Sequence, residues 1–334
     1  MTAGGYNTVN YGEQGGSVWN IGGTLNILEG GELVVSGAVN GAMPAQSYFV
    51  DTVNGSDSND GKSWAKAFAT MSKALTEVET LGKIFFVGDV REELTGSNLK
   101  FDISIIGCGS QHHPDLPAAG YHPGASMWRP PASPTAATPL LKVRGRGWKF
   151  INVAFDAPVD AAAILLERNA LSDVSEYDAS HASFIGCRFL AGLHAIEDSG
   201  GCYNITIKDC EIGGQTGAAI YNSSTAVANP LNWKILGNRF PGNVSGFGNV
   251  THIDSPLNCA IIVGNVFGTV VSTGKYIDLT GSGGGNVVCD NVFGGAYDTD
   301  DYVGIAADLW YNNRVAVKAT VAPDGLTLVI PPAP

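Results

Sequence analysis

The chain has 334 residues, a formal net charge of −12 and 44 glycines. Hydrophobic residues make up 44% and charged residues 15%, which predicts a folded protein with a sizeable core and excludes a disordered chain. The negative net charge disfavours a nucleic-acid partner, because it would repel the phosphates. The sequence contains no run of about 18 apolar residues, so no membrane-spanning segment is predicted.

The first 45 residues differ from the rest of the chain. They lack the charged stretch and the apolar stretch of a signal peptide. We therefore expect that the protein has no signal peptide and that it is made in the cytoplasm. GGTLNILE (22–29) is followed by the near-repeat GGELVVSG (30–37), and strands this short bury no core alone. We therefore predict an attachment and oligomerisation segment. Its candidate contact residues are Trp19, Leu25, Ile27, Leu33 and Val35.

A capping helix is predicted over about 69–81, where Met71, Ala74, Leu75, Val78 and Leu81 share one helical stripe. It precedes KIFFVGDV (83–90) and FDISIIGCGS (101–110), which are predicted to be the first strands of a repeating body over 46–314. Because the open end of such a body invites aggregation, the helix is expected to cover it. The stretch 111–139, rich in proline and alanine, predicts a long irregular excursion.

A six-residue string recurs through the second half of the chain at intervals of about 22 to 34 residues, the size of one coil of a parallel β-helix. Its copies are FINVAF (150–155), FIGCRF (184–189), IKDCEI (207–212), ILGNRF (235–240), IVGNVF (262–267), VCDNVF (288–293) and WYNNRV (310–315).

Each position of the string has a steric meaning. The third is always Gly, Asn or Asp, which tolerate left-handed backbone angles and so predict a bend. The fourth position predicts a ladder of stacked side chains. The fifth, which is Ala154 in the first copy and Arg314 in the last, is predicted to face outward, and the sixth to face inward. The ladder residues are Cys187, Cys210, Asn238, Asn265, Asn291 and Asn313. Together these positions predict an all-β fold, a right-handed, single-stranded parallel β-helix.

The last residues, 315–334, predict a β-hairpin and a tail. VKATV (317–321) and LTLVI (326–330) flank the turn signal at 322–325, and three prolines near the end prevent further strand pairing.

Charged residues give no catalytic assignment. Arg188, Glu211 and Arg239 fall on one outward column, and their alternating sign predicts a surface ion-pair ladder instead of a calcium site. A hydrolase needs paired carboxylates, but none of the acidic residues considered recurs on consecutive coils in one column. The acidic residues considered were Asp156, Asp160, Glu176 and Asp178. His252 and Asp254 could pair, with no nucleophile beside them.

Two C-terminal features suggest ligand binding. In YDTDDY (297–302), carboxylates at alternate positions could bind Ca²⁺ at Asp298, Asp300 and Asp301, although a solvated loop is the simpler explanation; no other cofactor is expected. Trp148 and Trp233 are predicted to be core residues. A surface for stacking on sugars is predicted from Tyr297, Tyr302, Trp310 and Tyr311.

Two stretches resemble known families. YFVDTVNGSDSNDGKSWAKAFATMSKAL (48–75) resembles the N-terminal segment of pectate-lyase-like β-helix proteins, a form common in virions of tailed bacteriophages. Residues 10–39 resemble the capsid-proximal segment of phage head-fibre or head-decoration proteins. This resemblance implies a homotrimeric structural virion protein bound to the major capsid protein or another virion protein, which also contacts a bacterial surface glycan. It leaves open a tailspike-type polysaccharide depolymerase, acting as a lyase or glycoside hydrolase, or a non-cleaving glycan adhesin.

Overall fold

The computed structural model describes residues 10–12, 19–21, 46–111, 124–169, 177–223, 229–242, 250–270, 274–296 and 302–317. The chain divides into two compact units, Met1–Pro44 and Ala45–Pro334. In the first unit, strands β1 (Asn10–Gly12) and β2 (Trp19–Ile21) pair antiparallel. The near-repeat at 22–37 lies outside the described residues.

The second unit consists of three parallel sheets whose strands alternate along the chain. The first sheet contains β3 (Ser47–Asp51), β4 (Lys83–Arg91), β6 (Ser104–Gly107), β9 (Lys149–Ile151), β12 (Ser183–Ile185), β15 (Thr206–Lys208), β18 (Lys234–Leu236), β21 (Ile261–Val263), β24 (Val287–Cys289) and β27 (Leu309–Tyr311). Strand β4 continues into the second sheet, whose other members are β7 (Ser126–Arg129), β10 (Ala154–Asp156), β13 (Arg188–Ala191), β16 (Glu211–Ile212), β19 (Arg239–Phe240), β22 (Val266–Phe267), β25 (Val292–Ala296) and β28 (Arg314–Val317).

The third sheet has eight strands. They are β5 (Leu94–Thr95), β8 (Leu141–Val143), β11 (Ile164–Leu166), β14 (Ile196–Asp198), β17 (Ala218–Asn222), β20 (Thr251–Asp254), β23 (Ile277–Asp278) and β26 (Tyr302–Val303). Each strand pairs in parallel with the strand one coil away in the same sheet. The predicted fold is confirmed: the protein is an all-β, right-handed parallel β-helix.

The core runs along the axis between the sheets. Sixth-position aromatics stack on their equivalents one coil away, as in Phe240 on Phe267 (ring centroids 4.6 Å apart) and Phe267 on Phe293 (5.1 Å). Trp148 and Trp233 are buried core residues, as predicted. Their indole N–H groups donate to backbone carbonyls at 2.8 and 2.7 Å, which removes the cost of burying them.

Left-handed corners lie at the third position of every string. The backbone φ angles of these seven residues range from 53° to 69°, as the restriction to Gly, Asn and Asp predicts. A second left-handed column precedes the first-sheet strands and was not predicted. It contains Leu81, Asp102, Gly147, His181, Asn204, Asn232, Cys259 and Gly285.

The fourth positions form a hydrogen-bonded ladder. The side-chain amide of Asn238 donates to Asn265 Oδ1, that of Asn265 to Asn291 Oδ1, and that of Asn291 to Asn313 Oδ1, each at 3.0 Å. Each oxygen also accepts a backbone N–H from the previous coil. Cys210 and Cys187 continue the same column as free, buried thiols. The backbone N–H of Cys187 donates to Cys210 Sγ at 3.4 Å, and that of Cys210 to Asn238 Oδ1 at 2.9 Å.

Three details differ from the sequence-based expectation. The helix is shorter than predicted, α1 spanning Met71–Glu77 after the 3-10 turn Trp64–Lys66, and Leu81 is exposed in a left-handed conformation. The excursion at 111–139 contains strand β7, whose residues are all buried. Ala154, expected to face outward, is buried in a small cluster with Met127.

The C-terminal end is only partly described. Strand β28 continues the coils to Val317, and the predicted hairpin beyond it lies outside the described residues. No helix in the described parts of the chain is long and apolar enough to cross a membrane.

Candidate functional site

The sugar-stacking surface predicted at the C-terminal end is not formed as expected. Tyr302 is 1% and Trp310 5% exposed, because both occupy inward strand positions, where Tyr302 stacks on Tyr276 at 5.3 Å. Tyr311 is 42% exposed on the outer face of the first sheet. Tyr297 lies outside the described residues. The assignment of Tyr302 and Trp310 to an exposed glycan surface was therefore wrong.

Most of the predicted calcium ligands and attachment residues lie outside the described part of the chain. Asp298, Asp300 and Asp301, the candidate calcium ligands, lie outside the described residues, as do Leu25, Ile27, Leu33 and Val35 of the attachment segment. Trp19 lies in β2. Within the described ranges, no group of three or more His, Cys, Asp or Glu side chains is placed to hold a metal ion.

The second sheet carries an ion-pair ladder on its outer face. Arg188 Nε lies 3.0 Å from Glu211 Oε1, and Arg239 Nη1 lies 3.8 Å from Glu211 Oε2. These residues line a shallow groove of about 280 Å³ together with Gln111, whose backbone oxygen accepts from Arg188 at 3.4 Å. Both arginines engage Glu211, so the column is a structural ladder with no spare carboxylate for acid–base work.

A buried ion cluster on the same sheet was not predicted. The Asp89 carboxylate is fully buried and accepts from Arg129 Nε at 2.9 Å, Arg129 Nη2 at 2.6 Å and Arg91 Nε at 2.8 Å. Burial raises the pKa of nearby Asp156, while the Arg129 charge opposes that rise. Asp156, which the sequence left without a column partner, thus belongs to a cluster spanning three coils. Its dense pairing fits a structural role.

The third sheet carries a row of three carboxylates and one tyrosine on its outer face. Glu197, Tyr221, Asp254 and Asp278 pair in register on four consecutive coils, facing outward and half-buried. Each follows an inward isoleucine, so the recurring dipeptide of Ile and a polar residue is the signal that could have found them. We call these four residues the acidic row.

Two carboxyl groups of the acidic row differ electrostatically. Burial, followed by the charge of Asp278, raises the pKa of Asp254. Burial also acts on Asp278, but hydrogen bonds from Lys275 and Thr280 outweigh it and lower the pKa of that carboxyl. Lys275 Nζ lies 2.5 Å from Asp278 Oδ2. Adjacent coils therefore hold one carboxyl group with a raised pKa and one with a lowered pKa.

An aromatic platform lies beside these carboxylates. The His194 ring stacks on Tyr221 with centroids 4.3 Å apart and planes within 14°. His194 Nδ1 donates to the Ala218 carbonyl at 2.7 Å, and burial lowers its pKa, so a neutral imidazole supports the half-exposed tyrosine.

His252 and Asp254 do not pair. His252 faces the core, fully buried, and its Nε2 donates to the Gly268 carbonyl at 2.8 Å, whereas Asp254 lies on the outer face of the same strand.

Comparison with known proteins gives no family. No protein-family model and no curated protein matches the chain. Similar solved structures include PfbA, a surface adhesin of Streptococcus pneumoniae, at 11% identity over 71% of this chain and 73% of that chain (TM-score 0.42). Pectate lyase Pel9A is 15% identical over 84% and 80% (0.43), and ORF18 of Geobacillus virus E2 is 14% identical over 70% and 53% (0.35). Identities and TM-scores this low assign no function to the chain.

Proposed function

We propose that this protein is a homotrimeric structural component of a tailed-phage virion, a capsid-bound decoration or head-fibre protein whose β-helix projects from the particle and binds a glycan without cleaving it. The observation that carries the binding function is the acidic row with its His194–Tyr221 platform. Sugars offer hydroxyl donors to carboxylates and an apolar ring face to an aromatic side chain.

The acidic row also breaks a local rule of sheet stability. Like charges directly opposite one another on neighbouring strands are destabilising, yet Asp254 lies opposite Asp278. Natural proteins retain such conflicts mainly at functional sites. A ligand that donates hydroxyl hydrogens to both carboxyl groups would offset this cost.

The virion assignment rests on different features. Residues 10–39 resemble a capsid-proximal segment, and the chain divides into a small N-terminal unit and a large β-helical unit. Capsid attachment is tested by mixing purified full-length protein with mature capsids that lack it. We expect co-sedimentation with the full chain and none after removal of residues 1–44; full-length protein that stays in solution would contradict the assignment.

Glycan binding is tested on an array of bacterial surface glycans. Tyr221→Ala is expected to weaken binding about tenfold, the equivalent of ~1.4 kcal/mol, because it removes the stacking platform. Tyr221→Phe keeps the ring that stacks on His194 and serves as the matched control. Equal losses in both variants, or no binding by the wild type, would refute this role for the acidic row.

A second candidate function, glycoside hydrolysis, is favoured by the opposite pKa shifts of Asp254 and Asp278. The two residues pair in register on adjacent strands, which run about 4.8 Å apart, and retaining glycosidases hold two carboxyl groups about 5 Å from one another. Such chemistry needs a carboxyl group of raised pKa beside one of lowered pKa. The test measures the release of reducing ends from a bound glycan. Release that is abolished by Asp254→Asn and also by Asp278→Asn would mean that the protein cleaves the glycan and does not only bind it.

A further inference from the structure

One of the two outward columns on the first sheet is almost wholly apolar along its length. One outward position per strand pairs in register through ten coils, and only one of these positions is charged. We call this column the apolar stripe; its residues are Phe49, Phe85, Ile106, Ile151, Ile185, Lys208, Leu236, Val263, Cys289 and Tyr311.

Further apolar side chains widen the stripe at both ends. At the N-terminal end, Trp64 is 43% exposed and packs edge-on against Phe49 at 4.9 Å. At the C-terminal end, the neighbouring outward column of the same strands continues with Ile261, Val287 and Leu309, the last 56% exposed.

The other two outer faces are built differently. A sheet face in contact with water normally carries polar side chains at its outward positions. The second sheet follows that rule at Arg188, Glu211 and Arg239, although Val266 and Val292 continue the same column, and the third sheet follows it in the acidic row. In the first sheet, one outward column departs from the rule at nine of its ten positions, which is typical of a surface that another protein covers.

We propose that the apolar stripe is the surface through which copies of this chain associate. The inference deepens the proposed function, because it assigns an interface to the homotrimer included there.

The size of the stripe identifies a second copy as its partner. Ten coils at about 4.8 Å give a length of roughly 43 Å, and a width of roughly 15 Å gives on the order of 600 Å² per copy. Two such faces bury about 1,200 Å², the lower limit for stable interfaces, whereas a peptide or sugar would leave most of the stripe exposed. Another copy presents the same length with the same spacing between coils, so side chains from two stripes can interleave.

Charges near the stripe agree with this arrangement. Lys208 is half-exposed, and its Nζ lies 3.7 Å from Asp209 Oδ2, so the neighbouring carboxylate balances the one charge within the stripe. Exposed Lys83, Lys149 and Lys234 lie in the flanking column, where a polar rim remains in water. Acidic side chains do not occur at any of the ten positions of the stripe.

The test uses the full-length chain and the variant Ile185→Lys. Lys208 occupies the same column one coil away, so the fold accommodates lysine at this position, and circular dichroism should be unchanged. Val266→Lys is the matched control, because Val266 is 49% exposed on the second sheet, beyond the stripe. Light scattering and sedimentation velocity give the mass of each protein.

We expect the wild type and Val266→Lys to have a mass of two or more chains, and Ile185→Lys to dissociate with a constant at least about 100-fold higher, since a buried unpaired lysine replaces apolar contact. A monomeric wild type at about 50 µM, where such an interface would be filled, overturns the proposal, as does an Ile185→Lys oligomer as stable as the wild type. A stripe-dependent oligomer that binds neither capsid nor glycan would refute the proposed function and leave this inference standing.

Discussion

Single residues set the path of each coil through left-handed corners. Seven third-position residues adopt positive φ, and the sequence identifies them because only Gly, Asn and Asp occur there. In the second left-handed column, Leu81 and Cys259 adopt positive φ although neither residue type favours it. Closure of the coil imposes the conformation at those two positions, so sequence alone does not identify them.

Gly264 separates backbone strain from crowding. Its φ is 69°, and an added Cβ would meet only the Gly237 nitrogen, at 4.0 Å. Gly264→Asn should be nearly neutral, as asparagine occupies this column elsewhere, whereas Gly264→Val should cost about 1–2 kcal/mol in left-handed strain. Denaturant unfolding of both variants measures the difference, and equal stability would contradict a strained corner.

His252 makes stability depend on pH. Burial lowers its pKa to about 4, against about 6.5 in the unfolded chain, so unfolding takes up a proton between these values. This contribution to stability is full above pH 6.5 and is lost as pH falls towards 4, amounting to about 2 kcal/mol between pH 7 and pH 5.

The check is denaturant unfolding at both pH values for the wild type and His252→Gln. Carboxyl groups with raised pKa, such as Asp254 and Asp156, act in the opposite direction in both proteins and cancel in the comparison. An identical pH dependence in the two proteins would show that His252 does not titrate as described.

At the scale of elements, the coils are joined by side chains that hydrogen-bond through the stack. Asn265 is fully buried and uses both amide atoms: Oδ1 accepts from the backbone and side chain of Asn238, and Nδ2 donates to Asn291 and the Ile235 carbonyl. The sequence predicts this column because its corners hold each string in the same register.

Asn265→Leu should lower the free energy of unfolding by about 3 kcal/mol, because the buried groups on both neighbouring coils lose their partners. Thermal and denaturant unfolding measure the loss. Cys210→Asn is the control: it places an amide in the same column, beside the Cys187 N–H and the Phe184 carbonyl, and should keep stability within about 1 kcal/mol. Loss of stability in the control alone would refute the ladder as the stabilising element.

At the scale of the whole molecule, the three outer faces have separate chemistry: apolar, ion-paired and acidic. The two proposals follow this division, with self-association through the first sheet and glycan binding through the third. The large unit Ala45–Pro334 contains all three sheets and the continuous core, so its stability should not depend on the first 44 residues.

Removal of residues 1–44 should therefore leave the melting temperature of the β-helix within about 3 °C, the shift that a change of about 2 kcal/mol would cause in a unit of this size. Circular dichroism during heating of the full and shortened chains tests this. A broad, non-cooperative transition in the shortened chain would mean that the N-terminal unit is part of the same folding unit.

The sequence by itself determined the parallel β-helix, its left-handed corners and the column of asparagines, because a bend and a ladder in every string fix the register of the first two sheets. Only the tertiary structure decided that Tyr302 is buried and that Asp254 lies opposite Asp278. Trp310 and seven residues of the apolar stripe occupy the first and second positions of the strings, so their register follows from the repeat. Loops of different length separate the strings from the third-sheet strands, so no constant spacing marks which side chains meet. Contacts between coils depend on that register, which exists only when the coils are stacked.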